Sequence, residues 1–424
     1  MNQPKLILAQ GSLKVRLAIM MFLQFFIWGA WYGTGGNYMN SHGMSNVIYL
    51  AFTASSIGSV ISPFFLGMIA DRFFPVQKVL GIMHIISGIF IFCAPFFGEG
   101  QMQSTTLFLI CILLHMLCYM PTVNLAAATA FHLLRGPEQH FPAIRLFGTL
   151  GWIAAGILVS RLLSGDTTGI PMRVSGVAAL IMGLYSFSLP NIPPKSTHIR
   201  ISFRAFIGAD VFAKIHSRSF YIFIFSLLLI SLPFAIYFPY VPVFLGKTGV
   251  ENPGFTMTFG QVSEIAFLLI LPFFFKKYGL KWVLLTGMVA WAIRYALFAI
   301  AAPEAVTWMI LLGIIIHGCC YDFVYVAGQI YIDRNANPEI RAQAQGLFVL
   351  VSYGVGQGLG TLGAGWLYHI VMTENNSLRE WQLFWTIPFA FSALVSLLFM
   401  FCFKEKIPAS SPAGQDQRIF PHSN

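Results

Sequence analysis

The chain has 424 residues, 57% hydrophobic and 16% aromatic, and only 9% charged, against about 25% charged in soluble proteins. A soluble fold of this size could not cover its core with so little polar surface, and the apolar residues run in blocks of the ~20 residues that cross a bilayer. The formal net charge of +10 raises nucleic acid as a partner, but a membrane protein that keeps Lys and Arg in its cytosolic loops explains it as well.

The first stretch, residues 1–15, is polar and carries Lys5 and Lys14, with Arg16 next. No small-residue cleavage site ends the apolar run after it, so the pattern is an uncleaved first helix and not a signal peptide. Twelve apolar segments are marked in order, at about 16–36, 46–70, 78–97, 105–131, 142–163, 171–190, 219–245, 255–275, 281–301, 305–332, 341–371 and 381–403. Polar breaks bearing Gly or Pro separate them. The longest internal break, 191–218, holds Pro193-Pro194, Lys195, Arg200, Arg204, Lys214 and Arg218. It reads as a cytosolic linker between a six-helix half at 16–190 and another at 219–403. The tail, 404–424, is rich in Ser, Pro and Gln and is expected to be disordered.

With the segments placed, the charges decide the orientation. All 25 Lys and Arg fall on the side of the two termini except Arg161, Arg173, Lys247 and Arg379 on the other side and Arg145 and Arg294 within the membrane. This bias puts both termini in the cytosol and removes the need for a nucleic-acid partner. The cysteines Cys93, Cys111, Cys118, Cys319, Cys320 and Cys402 all lie in apolar segments, without metal-ligand spacing or a secreted-scaffold pattern, and read as small packing residues.

The halves echo each other. Leu113-Leu114-His115 leading to Cys118-Tyr119 matches Ile315-Ile316-His317 leading to Cys320-Tyr321. Ile144-Arg145 matches Ile340-Arg341, and Pro63-Phe64-Phe65 matches Pro272-Phe273-Phe274. The echoes keep segment order, as a parallel six-plus-six repeat requires. Paired halves of this kind rock against each other around a midplane site.

Ionisable groups in hydrocarbon are costly and are functional candidates by default. Four are expected there: Arg145, Glu264, Arg294 and Asp322. Glu264 shares a helical face with Gln261 three residues before it. A carboxylate so placed favours its protonated form unless a cation or hydrogen bonds hold the charge. It can carry a proton across or accept hydrogen bonds from substrate hydroxyls. The plainer reading is a structural ion pair with Arg294. Asp322 lies mid-segment on a stretch where Tyr321, Tyr325 and Gln329 form an i, i+4, i+8 stripe. It is a candidate for proton coupling or gating, with interhelical hydrogen bonding as the plainer role. Arg145, Thr149 and Trp152, at i, i+4 and i+7, put a cation, a hydroxyl and an indole on one face, although Arg145 sits close enough to the interface to snorkel there. Arg294 reads as structural.

Aromatic stripes run along segment one (Gln24, Trp28, Trp31) and segment seven (Phe234, Tyr237, Tyr240). Such stripes are mostly packing, but a few rings on a cavity can stack on a planar ligand. His115 and His317 are repeat-related imidazoles that read as hydrogen-bonded packing residues, His317 being the better proton-carrier candidate because Asp322 is near in sequence. Nucleotide-binding glycine loops and metal-binding helix motifs are missing, so ATP-driven pumping and a metal site are not expected. No nucleophile–base pair stands out, so neither is an enzyme. Asn375-Asn376-Ser377 matches a glycosylation sequon by its letters alone.

Gly67-Met-Ile-Ala-Asp71-Arg72 closes segment two at a short loop, where an acid and a base can latch neighbouring helices. The string resembles the signature loop of the major facilitator superfamily, with its basic second half reduced to Lys78. The more detailed strings are Gln24-Phe-Phe-Ile-Trp-Gly-Ala-Trp31, Met120-Pro-Thr122, Phe141-Pro-Ala-Ile-Arg145-Leu-Phe-Gly-Thr149, Gln261-Val-Ser-Glu264, Tyr321-Asp322-Phe323 and Arg341-Ala-Gln-Ala-Gln-Gly346. They resemble the nucleoside:proton symporter family of that superfamily along nearly the whole chain.

The resemblance implies an all-α integral membrane fold of 12 transmembrane helices in two pseudo-symmetric six-helix bundles. It implies a monomeric bacterial inner-membrane permease that imports nucleosides with protons and has no cofactor beyond the coupling proton. By motif match it puts Arg145, Thr149, Trp152, Gln261, Glu264 and Tyr321 at the substrate. It makes Asp322 and Glu264 the coupling acids and Asp71 and Arg72 the conformational latch. Two departures stand out. Phe234 and Tyr237 take positions where a characterised relative presents a Gln and an Asn, and His317 stands where it has Tyr. All three are expected at a cavity more aromatic and less amide-rich than the relative's. A proton symporter for a sugar or glycoside fits the same residues. A non-transporting membrane sensor is the second alternative; a long signalling domain would favour it, and the longest soluble piece expected in this sequence is the 191–218 linker.

Overall fold

In the computed structural model, which describes residues 3–65, 74–100, 102–193, 208–337, 339–373 and 375–404, all regular elements among the described residues are helical. The Asp71–Arg72 latch, half of the 191–218 linker (194–207) and nearly all of the 404–424 tail lie outside the described residues.

The first group of helices comprises α1 (Gln3–Tyr32), a short α2 (Gly35–Ser41), α3 (Ile48–Phe65), α4 (Val76–Gly98), α5 (Thr105–Leu133), α6 (Pro137–Gly156) and α7 (Ile170–Ser186). After the short α8 (Ala209–Lys214), the second group comprises α9 (Arg218–Lys247), α10 (Pro253–Ala301), α11 (Thr307–Ile315), α12 (His317–Tyr321), α13 (Ala327–Asn335), α14 (Arg341–Val349), α15 (Gln357–Val371) and α16 (Leu378–Cys402). Three π-helical stretches continue these elements: Ile157–Leu162 after α6, Asp322–Val326 after α12 and Leu350–Gly356 before α15.

Among the described residues, ten helices are long and apolar enough to cross a bilayer. They keep the order of the expected segments, with two differences. The segments expected at 255–275 and 281–301 run together as α10, interrupted at Gly279, whose φ of 77° and ψ of 171° are non-helical. Only glycine takes that backbone without strain, which lets the chain reverse there. The segment expected at 171–190 is a helix of 17 residues, about 26 Å long at 1.5 Å per residue and so at the short limit for a span.

Within the first group, α1 packs on α6 and α7, and α4 on α5 and α7; within the second, α9 packs on α15 and α16, and α10 on α12 and α16. Contacts between the groups gather at one end of the bundle. There Thr53 and Thr361 hydroxyls lie 2.8 Å apart, and the Gly254 amide donates to Asp166 Oδ1 at 2.9 Å. Gly36 of α2 sits so close to α9 that an added Cβ would collide with the Pro239 carbonyl. Helices in lipid gain their association from such close backbone approach, because lipid is as apolar as the side chains.

The closed end carries residues 163–169 and 248–252, on the side that the charge bias leads one to expect outside.

Large rings fill the second group: Trp291, Tyr295, Trp381 and Trp385 are essentially inaccessible. A buried polar chain runs through the first. Gln24 Nε2 donates to Thr122 at 2.8 Å, Gln24 Oε1 lies 3.0 Å from His84 Nε2, and Tyr119 OH donates to the Gln24 carbonyl. His115 Nδ1 lies 2.8 Å from Ser87 Oγ. His115 is therefore a packing residue, whereas its repeat mate His317 lines a cavity. The Arg145 mate diverges too: Arg341 makes an exposed ion pair with Asp333 at 3.1 Å.

Candidate functional site

A cavity lies between the two groups of helices, next to the closed end. Phe25, Trp28 and Tyr32 of α1 and Arg145, Thr149 and Trp152 of α6 form one wall. Phe234 and Phe238 of α9, Gln261 and Glu264 of α10, His317 and Tyr321 of α12, and Tyr353 and Gln357 form the other. The space among them is about 650 Å³ with its opening included; the part that takes the centre of a water molecule is about 100 Å³. The cavity is thus narrow and mostly aromatic, with a few converging polar groups, as small-molecule sites are.

Helical spacing brings the polar groups together. Arg145 and Thr149 are one turn apart on α6, and Gln261 and Glu264 share one face of α10. The Arg145 guanidinium lies 4.1 Å from the centroid of the Phe25 ring, which orients it without neutralising it. Gln261 is 4% exposed and its Oε1 has no hydrogen-bond partner. The Trp28 indole N–H is likewise buried without an acceptor. Buried polar atoms of this kind cost free energy until something pairs with them, so both are poised for a ligand or water.

The closed end of the cavity is capped by rings from both groups. Tyr32 and Phe238 centroids lie 5.2 Å apart, Trp152 and Phe238 5.6 Å, and Trp28 and Trp152 5.5 Å.

Of the residues expected at the substrate, Arg145, Thr149, Trp152, Phe234, Gln261, Glu264, His317 and Tyr321 all line this cavity. Tyr237 does not line it. It is fully buried behind His317, stacked on that ring at 4.9 Å and 14°. Asp322 is also outside the lining: it is 1% exposed, opens the π-helical stretch after α12, and its Oδ2 has no hydrogen-bond partner. The Tyr321–Tyr325–Gln329 stripe persists only in part: Tyr325 stacks on Tyr321 at 5.2 Å. Tyr325 is buried with its hydroxyl 3.1 Å from Ser231 Oγ, and Gln329 is exposed.

The alternative of a Glu264–Arg294 ion pair is not realised among the described residues. Arg294 is fully buried over the rings of Tyr237 (4.3 Å) and Trp291 (4.5 Å), donates from Nε to the Gly313 carbonyl at 3.0 Å, and leaves both Nη atoms unpartnered. Sequence reasoning left out Phe25, Tyr32, Phe238, Tyr353 and Gln357 from the cavity. The i, i+4 spacing of Phe234 with Phe238, and of Tyr353 with Gln357, was the signal available for three of them.

A helical membrane protein whose two bundles enclose a narrow cavity, sealed at one end by contacts between the bundles, has the architecture of a solute transporter. The chain matches the family described as nucleoside H+ symporters over residues 11–407, and it belongs to that family. It is 35% identical to YegT of Escherichia coli over 92% of this chain and 93% of that protein. It is 32% identical to the nucleoside permease NupG of Escherichia coli over 93% of this chain and 97% of that one. A crystal structure of the nucleoside transporter NupG superposes with a TM-score of 0.82 at 29% identity, covering 93% of this chain and all of that one. The Escherichia coli xylose transporter XylE, at 12% identity and a TM-score of 0.62, shares the fold.

Proposed function

We propose that the chain imports nucleosides together with protons across the bacterial inner membrane, with both termini in the cytosol, by alternating exposure of the cavity to the two sides. The observation that carries this reading is the cavity itself. A guanidinium and hydroxyl from one bundle face an amide and a carboxylate from the other, between aromatic walls. Glu264 and Gln261 accept and donate to sugar hydroxyls, Arg145 and Thr149 bind from the facing bundle, and Trp28 and Trp152 offer ring faces to the base.

A solute held by both bundles couples their relative motion to its own binding. Glu264 faces the solute, and Asp322 sits behind the wall with its Oδ2 unpartnered. A carboxylate in such a place is tolerated as the neutral acid far better than as the anion. Proton binding from outside therefore prepares the closed, loaded arrangement, and release to the cytosol frees substrate and proton together. No resident cofactor enters this cycle. The chain acts as a single copy, since both walls of the cavity come from it.

Uptake of radiolabelled uridine and adenosine into proteoliposomes, with and without an inward proton gradient, tests the reading. Gradient-dependent accumulation is expected. Folded protein that takes up neither nucleoside would move the substrate elsewhere.

A further inference from the structure

The cavity wall opposite Arg145 contains a polar element from α15 and the stretch leading into it. Residues Leu350–Gly356 wind as a π-helix. The wider turn rotates α15 about its axis, and such stretches recur at functional sites. Gly356 and Gly360 then press against α9: an added Cβ would lie 2.6 Å from Ser231 Cβ at the first and 2.6 Å from the Leu232 carbonyl at the second. This backbone-to-helix contact fixes the rotation of α15, and it leaves Tyr353 and Gln357, one turn apart, on the cavity.

The Tyr353 hydroxyl is 2.7 Å from that of Tyr321, so its hydrogen-bonding capacity is largely used within the wall. Gln357 differs. It is half-buried and lines the cavity, and its side-chain amide makes no hydrogen bond among the described residues. The α9 wall beside it, Phe234 and Phe238, offers no polar atom, and α1 contributes Phe25, Trp28 and Tyr32. Gln357 is therefore a free amide among rings.

An amide presents a donor and an acceptor side by side. That pair matches the edge of a nucleobase, where a donor and an acceptor also sit adjacent, and it suits a ribose hydroxyl less well than a carboxylate does. We propose that Gln357 is a specificity-determining residue, hydrogen-bonding the edge of the base while the base's ring packs among Trp28, Trp152 and Phe238. The assignment rests on the nucleoside reading above.

A carboxylate at this position pairs with two adjacent donors, as on guanine, and is repelled by the ring-nitrogen acceptor of adenine. Binding of adenosine and guanosine to purified, monodisperse wild type, Gln357→Glu and Gln357→Leu protein tests this. Gln357→Glu is expected to raise the guanosine-to-adenosine affinity ratio about tenfold, and Gln357→Leu to weaken both by about tenfold, the size of one lost bidentate pair. Wild type that binds either nucleoside, with both variants keeping its affinities and ratio, overturns the Gln357 assignment alone. Wild type that binds neither overturns the nucleoside reading, and the assignment with it.

Discussion

The Asp166 carboxylate of one bundle caps the first turn of α10 in the other: Gly254 N–H donates to its Oδ1 at 2.9 Å, while Ser160 Oγ–H donates to its Oδ2 at 2.6 Å. An anion at a helix N-terminus is favoured by unpaired amides and by the helix dipole, so this contact holds the two bundles shut on the expected external side. Asp166→Ala removes the acceptor and leaves a buried amide unpaired, a cost of about 1–3 kcal/mol to the closed arrangement. The expected outcome is a population shift toward the outward-open state. Spin labels at Thr167→Cys and Glu251→Cys, which are exposed on opposite sides of this crevice, should report a longer distance in the Ala variant. An unchanged distance distribution would deny Asp166 a role in closure.

The same contact carries a pH dependence. Burial pushes the Asp166 carboxyl above its usual 3.8, against the lowering influence of the Ser160 and Gly254 hydrogen bonds. In the open arrangement the carboxyl is solvated and titrates near its usual value. The closed state therefore binds the proton more tightly, and external acid favours closure. The gain sets in as pH falls through the raised closed-state value and is complete below 3.8. Arg161, Lys247 and Glu251 line the same crevice, so Asp166→Asn is the control. It should abolish the acid-driven shortening of the label distance and leave any contribution of the other charges in place.

Glu264 and Asp322 separate by position, and their variants should separate by phenotype. Glu264 lines the cavity, whereas Asp322 is buried behind it. Glu264→Gln should weaken nucleoside binding and abolish proton-driven accumulation. Asp322→Asn should abolish accumulation while leaving affinity within about threefold and preserving downhill counterflow, because it removes a titratable group that does not reach the solute. Uptake with and without a proton gradient, beside counterflow, checks both. Proton-driven accumulation that survives in each single variant would refute coupling through either acid.

Much of this site was legible in the sequence because its helices are regular where it counts. Arg145, Thr149 and Trp152 lie on an unbroken stretch of α6, and Gln261 and Glu264 on one face of α10, so 3.6-residue periodicity brought each set to the same wall. Periodicity says which residues share a face, not how deep each one lies. Across the π-helical Asp322–Val326 stretch Tyr325 still stacks on Tyr321 at 5.2 Å, but it is buried behind the lining, and Gln329 is exposed. Tyr353 and Gln357 keep i, i+4 spacing where the π-helical Leu350–Gly356 passes into α15, but that spacing alone does not say which face of the helix meets the cavity. Tyr237 was misplaced for another reason. Its neighbour Phe238 takes the cavity position, and a single helix pattern cannot say which of two adjacent aromatics faces inward.

Arg294 should behave as a structural cation and not as part of the coupling machinery. Its guanidinium covers the rings of Tyr237 and Trp291, and its Nε donates to the Gly313 carbonyl. Lysine keeps the charge but loses the planar group that stacks on rings. Arg294→Lys should lower thermal stability in detergent by the equivalent of about 1–2 kcal/mol, from weakened cation–π contacts in a dry site. The ratio of gradient-driven to downhill uptake should stay at the wild-type value. A normal melting temperature with lost coupling would reverse this assignment and restore an electrostatic link to the acids.

Phe238 is the ring that joins the two bundles above the cavity, meeting Tyr32 at 5.2 Å and Trp152 at 5.6 Å. Each aromatic pair contributes about 0.5–1.5 kcal/mol beyond area burial, so Phe238→Ala removes about 1–3 kcal/mol from the closed state alone, since the pairs cannot survive separation of the bundles. A loss of that size shifts the closed-to-open ratio by roughly 5- to 150-fold. Phe238→Leu restores apolar bulk without the ring and should recover only part of the loss. The Thr167/Glu251 label distance reads the shift directly, and counterflow reads its consequence, because a carrier held outward-open exchanges slowly across the membrane. If Phe238→Ala left both at wild-type values, the aromatic cap would be packing at the cavity rim and not a gate, and closure would rest on Asp166–Gly254 and Thr53–Thr361.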